Sequence, residues 1–241
     1  LAWMDAGDAR VEFPEEAAFH AQLASGRGAL FLSAHLGNLD MLRGLGALHG
    51  IRGLNAVVYS EHVVRFQDLL KEVNPGYESN LIHLPEVTVG TAMDFHHREL
   101  VSVHGEPLDG EGRPQRLIVV GMGKLGGGEL NASSDIDLIF VFPEEGESAG
   151  PRRLSNFEFF TRLGKRLINA LDDKTGDGYV FRVDMRLRPY GDSGPLVSSF
   201  AMLEEYFYTQ AREWVRYAWI KGRALTGTER AEELEALRRP F

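Results

Sequence analysis

The stretch from residue 117 to 142, LIVVGMGKLGGGELNASSDIDLIFVF, constrains this chain more than any other. Leu117 to Val120 read as an apolar strand that runs into a glycine-rich turn. A second apolar strand follows, and Asp135 and Asp137 stand at its start. Side chains alternate faces along a strand, so positions i and i+2 point the same way. The pattern predicts both carboxylates on one face, with Ile136, Leu138, Phe140 and Phe142 on the other. Two like charges held side by side are costly without a cation between them. A hard divalent cation with oxygen ligands, its shell completed by a phosphate, fits that need. An isolated Asp-x-Asp at a strand start is more often a turn or an exposed strand face. The surrounding elements favour the site.

The next of these elements is a helix over 155–172. Ser155 and Glu158 are spaced as a capping box, and Phe159, Phe160, Leu163, Leu167, Ile168 and Leu171 form one apolar stripe. After a turn at Gly176 to Gly178, Tyr179 to Arg188 alternates as a strand would. Phe181, Val183, Met185 and Leu187 take one face, and Arg182, Asp184, Arg186 and Arg188 take the other. Such a row can be a surface ion-pair ladder of little energetic weight. Beside Asp135 and Asp137 it reads as a third metal-site carboxylate, with arginines set for phosphate oxygens. The Pro189 to Pro195 loop is rigid and could lie over the site. Phe200 to Tyr217 is predicted as one aromatic-rich helix, with Trp214 and Tyr217 near its end and its stripe packed in the core. Lys221 and Arg223 would add charge to the phosphate pocket, and 228–239 is predicted as a charged surface helix.

Gly121-Met122-Gly123-Lys124-Leu125-Gly126 matches the G-x-G-x-x-G fingerprint of dinucleotide sites. That reading requires a helix to open at the glycines and an acid about twenty residues on. Too few residues separate Gly126 from the next strand, and Asn131, Ser133 and Ser134 among them favour turns. Lys124 has no Ser or Thr after it, so the turn is not a Walker loop either.

Length and composition set further bounds. At 241 residues and 44% hydrophobic, the chain can bury one large core or two small ones. Its net charge of −9 argues against bulk nucleic-acid binding. With no cysteine there is neither a disulfide framework nor a thiolate metal site. No apolar run approaches a membrane span, and no basic segment followed by an apolar core suggests a signal peptide. A cytoplasmic location is the expectation. Residues 104–115, rich in Gly, Pro and acids, read as a loop. A domain boundary is placed near residue 96, dividing the chain into 1–96 and 97–241. His96, His97 and His104 fit no familiar ligand spacing and read as surface histidines.

In the first part, a short helix is expected over 15–24, a turn at 25–28 and a buried strand from Ala29 to Ser33. His35 and Asp40 follow in an H-x4-D arrangement, which lets a carboxylate orient a histidine as general base. Residues 25–95 resemble the acyltransferases of glycerolipid and lipid A type. There the histidine deprotonates an acceptor hydroxyl and the aspartate steadies it. The later strands of that fold are not found, so the segment reads as a truncated α/β module without a working site.

The glycine pair Gly126-Gly127 ahead of an Asp-x-Asp strand is similar to the layout of DNA polymerase β type nucleotidyltransferases, although Gly-Ser is common there. GMGKLGGGELNASSDIDLIF, FRVDMRLRPYGDSGPL and REWVRYAWIKGRAL resemble, more specifically, the glutamine synthetase adenylyltransferase/adenylyl-removing family, over about residues 98–227. The resemblance implies an α/β (α+β) fold with a mixed sheet and flanking helices. It implies Mg²⁺ on Asp135, Asp137 and Asp184. It also implies nucleotide phosphates lined by Lys124, Gly126, Gly127 and Ser134, with Arg186, Arg188 and Lys221 neutralising phosphoryl charge. ATP, ADP, inorganic phosphate and glutamine synthetase would be the partners, and a PII-type signal protein the regulator of the full-length family protein. The Gly-Asp-Ser-Gly-Pro loop and Arg-Glu-Trp-x-Arg-Tyr-Ala look more like the adenylyl-removing domain. An adenylyl-transferring domain, acyl transfer at His35 and Asp40, and a fragment that only binds nucleotide or glutamine synthetase remain the alternatives.

Overall fold

The computed structural model describes residues 16–25, 55–58, 80–130, 134–176 and 178–239. The chain divides into two compact units, Leu1–Ile51 and Arg52–Phe241. In the first, helix α1 spans Glu16–Ala24, where a short helix is expected. The strand from Ala29, His35 and Asp40 lie outside the described residues, so the acyltransferase-like pair has no described geometry.

The second unit begins with strands β1 (Asn55–Val58) and β2 (Asn80–His83), which pair in parallel. Helix α2 (Leu84–His104) follows directly and runs through residue 96, where the sequence suggests a boundary. Strand β3 (Pro107–Asp109) then pairs with β6 (Gly146–Ser148) in an antiparallel ribbon, so the predicted loop over 104–115 contains a strand. Its anchor is Asp109, whose buried carboxylate accepts from the Glu111 and Arg113 amides, from Arg113 Nε at 2.7 Å and from Gln115 Nε2. Burial opposes ionisation of Asp109, but the Arg113 and Glu111 bonds outweigh it and hold the carboxyl below its usual value.

The main sheet is mixed. Strand β5 (Ile136–Phe142) lies antiparallel to β4 (Ile118–Gly121), and β9 (Arg223–Ala224) continues the sheet beyond β4. On its other edge β5 pairs in parallel with β7 (Val183–Asp184) at its start and β8 (Val197–Ser199) at its end. Alternation then sorts the side chains into two layers. Leu117, Val119, Ile136, Leu138, Phe140 and Phe142 pack with Val89, Met93 and Leu100 of α2 and with the Phe159, Phe160, Leu163 and Leu167 stripe of helix α4 (Asn156–Asp172). Ile118, Val120, Met122, Ile139 and Val141 pack with helices α5 (Phe200–Thr209), α6 (Glu213–Trp219) and α7 (Ala231–Arg238). Helices thus cover both faces. Ile139 and Val141 are therefore buried on the face that carries Asp137.

Local signals explain the helix starts and breaks. Ser155 caps α4 by accepting from the Glu158 amide at 3.1 Å, as its capping-box spacing predicts. The single helix expected over Phe200 to Tyr217 is two helices. The chain leaves helical geometry at Gln210 and restarts after Arg212, with Ala211 buried at the bend. That break turns Trp214 and Tyr217 outward, at 57% and 70% exposure, and Trp219 takes the core position instead. At the C-terminal end a short 3-10 turn, Thr228–Arg230, precedes α7.

The histidines are corrected as well. His97 and His104 are buried, because α2 packs its inner face against α4. His97 Nε2 meets Glu106 at 3.2 Å, and its ring stands edge-on to Phe159. His104 Nδ1 faces the Arg152 carbonyl at 2.7 Å. Burial, then nearby Arg116, lowers the His97 pKa from 6.5 against the pull of Glu106. Because the folded value is depressed, His97 contributes stability that is fully present above about 6.5 and is lost as pH falls through the lowered value. Thermal melts from pH 7.5 down to 5 should therefore show a decline that His97→Gln flattens. An identical decline in both proteins would remove His97 as its source.

Candidate active site

The glycine turn sits at the end of β4. Helix α3 (Gly123–Gly126) is one turn long. A dinucleotide site needs parallel strands joined by a full helix, whereas β4 and β5 are antiparallel. Two glycines make the close packing possible. A Cβ on Gly126 would fall 2.0 Å from the Lys221 carbonyl oxygen and 2.4 Å from that of Gly121. Gly123 has φ +53°, and a Cβ there would meet Asp137 Oδ2 at 2.8 Å. The turn therefore lies directly against the Asp137 carboxylate. Its backbone is tied to the same strand, since the Met122 amide donates to the Asp137 carbonyl at 2.9 Å.

Asp137 and Asp184 are register partners across the parallel β5–β7 pair. Parallel partners in register project to the same side, so residues 47 positions apart in sequence are neighbours on one face. Asp135 precedes β5 and pairs with Arg182 Nε at 2.6 Å. Burial, then Asp184, then Asp135 raise the Asp137 pKa, with Arg186 opposing them. The Asp137 carboxylate thus feels both of the other two. No basic side chain among the described residues pairs with Asp137.

Asp184 is held very differently. Arg186 reaches it with its amide at 2.8 Å, with Nε at 3.1 and 2.9 Å, and with Nη2 at 2.5 Å. These contacts, led by the Arg186 side-chain hydrogen bond, pull the Asp184 carboxyl below its ordinary value despite partial burial. They also explain why the alternating strand expected from Tyr179 to Arg188 is only two residues long. After Asp184 the chain turns back on itself, and the Arg188 amide donates to the Met185 carbonyl at 3.2 Å. Leu187 consequently packs in the layer opposite to Val183 and Met185. Arg188 donates to the Met185 carbonyl and to Asp192 at 3.4 Å, which ties it to the loop that follows. That loop carries Tyr190 at φ +62° and a 3-10 turn, Gly191–Ser193.

The remaining residues assigned from sequence gather at the glycine turn. Lys124 Nζ donates to Ser134 Oγ at 3.4 Å. Lys221 lies against Gly126 and Gly127, with its ammonium on Glu129 at 2.7 Å. Arg223, expected to add charge to the phosphate pocket, clamps the turn. Its Nε donates to the Gly126 carbonyl at 3.1 Å, its Nη2 donates to Glu86 of α2, and the turn is braced between them. Three contributors have no distinct signal in the sequence: Arg182, which stands only as one of a row, Glu86, and the buried Thr226. Thr226 accepts from the Val119 amide and donates to the Leu117 carbonyl, joining β4 to the segment after β9.

Among the described residues no three carboxylate or imidazole groups already stand as a ligand set. Arg182 and Arg186 engage two of the three acids, and the third carries a pKa raised by burial and by its acidic neighbours. Hard oxygen donors from adjacent strands, short of a counter-ion, fit a divalent cation by donor chemistry. Among the described residues no helix is long and apolar enough to cross a membrane.

The model of the glutamate-ammonia ligase adenylyltransferase family matches residues 67–238. That match begins inside the 25–95 segment expected to be acyltransferase-like, an expectation it does not support. A bifunctional glutamine synthetase adenylyltransferase/adenylyl-removing enzyme of Aromatoleum aromaticum is 63% identical over 158 residues, which are 66% of this chain and 17% of the relative. The enzyme of the same description from Chromobacterium violaceum is 66% identical over 139 residues, covering 57% of this chain and 15% of the relative. That from Ralstonia nicotianae is 59% identical over 164 residues, covering 65% and 17%. The chain thus spans less than a fifth of the length of these curated relatives.

Proposed function

The chain belongs to the glutamate-ammonia ligase adenylyltransferase family, and on that footing we propose that its second unit carries a Mg²⁺-dependent nucleotidyltransferase domain that removes adenylyl groups from glutamine synthetase. The observation that carries the reading is the in-register pair Asp137 and Asp184 beside the Gly123 turn. The adenylyl-removing direction rests on the Gly191-Asp192-Ser193-Gly194-Pro195 loop and on the Arg212 to Ala218 stretch, which resemble that domain of the family.

In this reading the reaction is phosphorolysis. An oxygen of inorganic phosphate forms a bond to the adenylyl phosphorus, the bond from phosphorus to the tyrosyl oxygen breaks, and ADP leaves. The phenolate takes up a proton from solvent. Asp135, Asp137 and Asp184 would hold the magnesium, which supplies charge stabilisation to the phosphoryl oxygens. The Gly126-Gly127 turn lines one side of the phosphate path by its lack of side chains, since its two amides already donate to the Met122 and Gly123 carbonyls. Lys124 and Lys221 bring positive charge to that turn, and Arg186 and Arg188 bring it to the other side. Positioning two anions against their mutual repulsion is the main task of these bases. None of the side chains needs to act as a nucleophile.

The test is ADP formation from adenylylated glutamine synthetase with phosphate and Mg²⁺. The wild-type chain should form ADP only when both are present. Asp184→Asn should lower the rate roughly 10²-fold or more, by the usual loss for one electrostatic contact. An undiminished rate in that variant would refute the site. ATP-dependent labelling of unmodified glutamine synthetase without phosphorolysis would instead assign the transferring direction.

A further inference from the structure

We infer that Arg186 and Arg182 are built-in counter-cations of the acidic face, positioning residues that occupy Asp184 and Asp135 until a metal ion displaces them toward the phosphoryl oxygens. The inference rests on the metal-site reading above and adds a binding order to it.

Four observations carry it. First, both oxygens of Asp184 are engaged by Arg186, Oδ1 by the amide and Nε and Oδ2 by Nε and Nη2. A carboxylate has about four lone-pair directions, so a metal ion cannot take this one unchanged. Second, Asp135 Oδ1 is held by Arg182 Nε at 2.6 Å. Third, Asp137 stands between these pairs and has no basic partner among the described residues, so it is the carboxylate open to a first contact. Fourth, both arginine side chains are largely exposed, 74% for Arg186 and 53% for Arg182. Asp184 itself is only 15% exposed and its bidentate pair is the stronger of the two, but the arginine ends lie in solvent, so their release leaves no guanidinium buried without a partner.

The chemistry of the guanidinium makes the exchange economical. Its planar fork matches a carboxylate and a phosphate equally well. An arginine released from Asp184 is already beside the place where phosphate oxygens would sit. Arg188 does not share this role. It is anchored to the Met185 carbonyl and Asp192, and it touches Asp184 only through its field. A carboxylate available for part of the time lowers apparent affinity by that fraction. The bare protein should therefore bind a divalent ion more weakly than its carboxylates alone would allow.

The probe is Mn²⁺ titrated into the full chain without nucleotide or phosphate, with free Mn²⁺ read by electron paramagnetic resonance. Arg186→Gln should bind Mn²⁺ about fivefold more tightly than wild type, the scale of one exposed ion pair. Arg188→Gln, which removes the same charge without opening Asp184, should change affinity less. The KM for phosphate should rise in Arg186→Gln, because the released arginine is its partner in the loaded site. Unchanged or weaker Mn²⁺ binding by Arg186→Gln would overturn the inference, as would an equal gain in Arg188→Gln. Asp137→Asn separates the two levels. If it binds Mn²⁺ as well as wild type, the metal site itself is refuted and this inference with it.

Discussion

Asp137→Asn should abolish turnover and, without metal, make the folded protein more stable. The first effect follows from position. Asp137 is the carboxylate between Asp135 and Asp184 and against the Gly123 turn. Losing a central ligand should cost roughly 10³-fold in rate, given the several kcal/mol that a bound cation supplies to a phosphoryl transition state. The second effect follows from the raised pKa. Burial and then the charges of Asp184 and Asp135 make the folded state bind this proton more tightly than the unfolded chain does. Stability is therefore highest below the ordinary value of 3.8 and falls as pH rises through the raised folded value. At neutral pH the full cost is present. A neutral asparagine escapes it, so the thermal midpoint should rise.

Asp184 has the opposite sign. Its pKa is depressed by Arg186, so its contribution is present above 3.8 and is lost as pH falls through the lowered value. Added Mg²⁺ should raise the wild-type midpoint and leave Asp137→Asn unmoved. Melts at pH 7 with and without Mg²⁺, together with the ADP assay, check both claims. A less stable Asp137→Asn would mean that Asp137 is a structural ligand of the fold rather than a carboxylate held for function.

Gly126→Ala is the second large effect, and it concerns folding. The added Cβ would lie 2.0 Å from one carbonyl oxygen and 2.4 Å from another, those of Lys221 and Gly121. Both are backbone atoms. The flexible end of a side chain could move aside, but these can do so only if β4 or the α6–β9 connection moves. Overpacking usually costs about 1–3 kcal/mol, and a clash with backbone on two sides belongs at or beyond the upper end. At about 2–4 °C per kcal/mol for a chain of this size, the midpoint should fall by about 6–12 °C or more. Gly127→Ala is the control. Its nearest contact is the Lys221 Cδ at 3.2 Å, part of a flexible side chain. Denaturant titration of the two variants should separate them clearly. A Gly126→Ala protein as stable as Gly127→Ala would show that the turn packs less tightly than these contacts require.

Several features of this protein are legible in its residues because they depend on near neighbours. The β4 strand, the break at the glycines, the start of β5 and the capped helix α4 all follow from alternation, turn chemistry and helical period. Those rules act over a few residues, and here they hold. The failures share a different cause. Alternation over Tyr179 to Arg188 predicts a strand of ten residues, yet the strand ends at Asp184, where Arg186 folds back to hold the carboxylate. Trp214 and Tyr217 have the composition of a core stripe, yet the bend at Ala211 turns them outward. His97 looks like a surface residue until α4 is packed over it.

Taken alone, the amino-acid sequence determines which carboxylates and glycines are available and that Asp135 and Asp137 lie near one strand start, because these depend on covalent neighbours. Tertiary structure decides that Asp184 becomes the register partner of Asp137, that Arg223 braces the turn, and which acid stands without a counter-ion. Strand pairing in register joins residues far apart in the chain, and an ion pair forms wherever packing brings two charges together. Neither distance is written in the spacing of the residues.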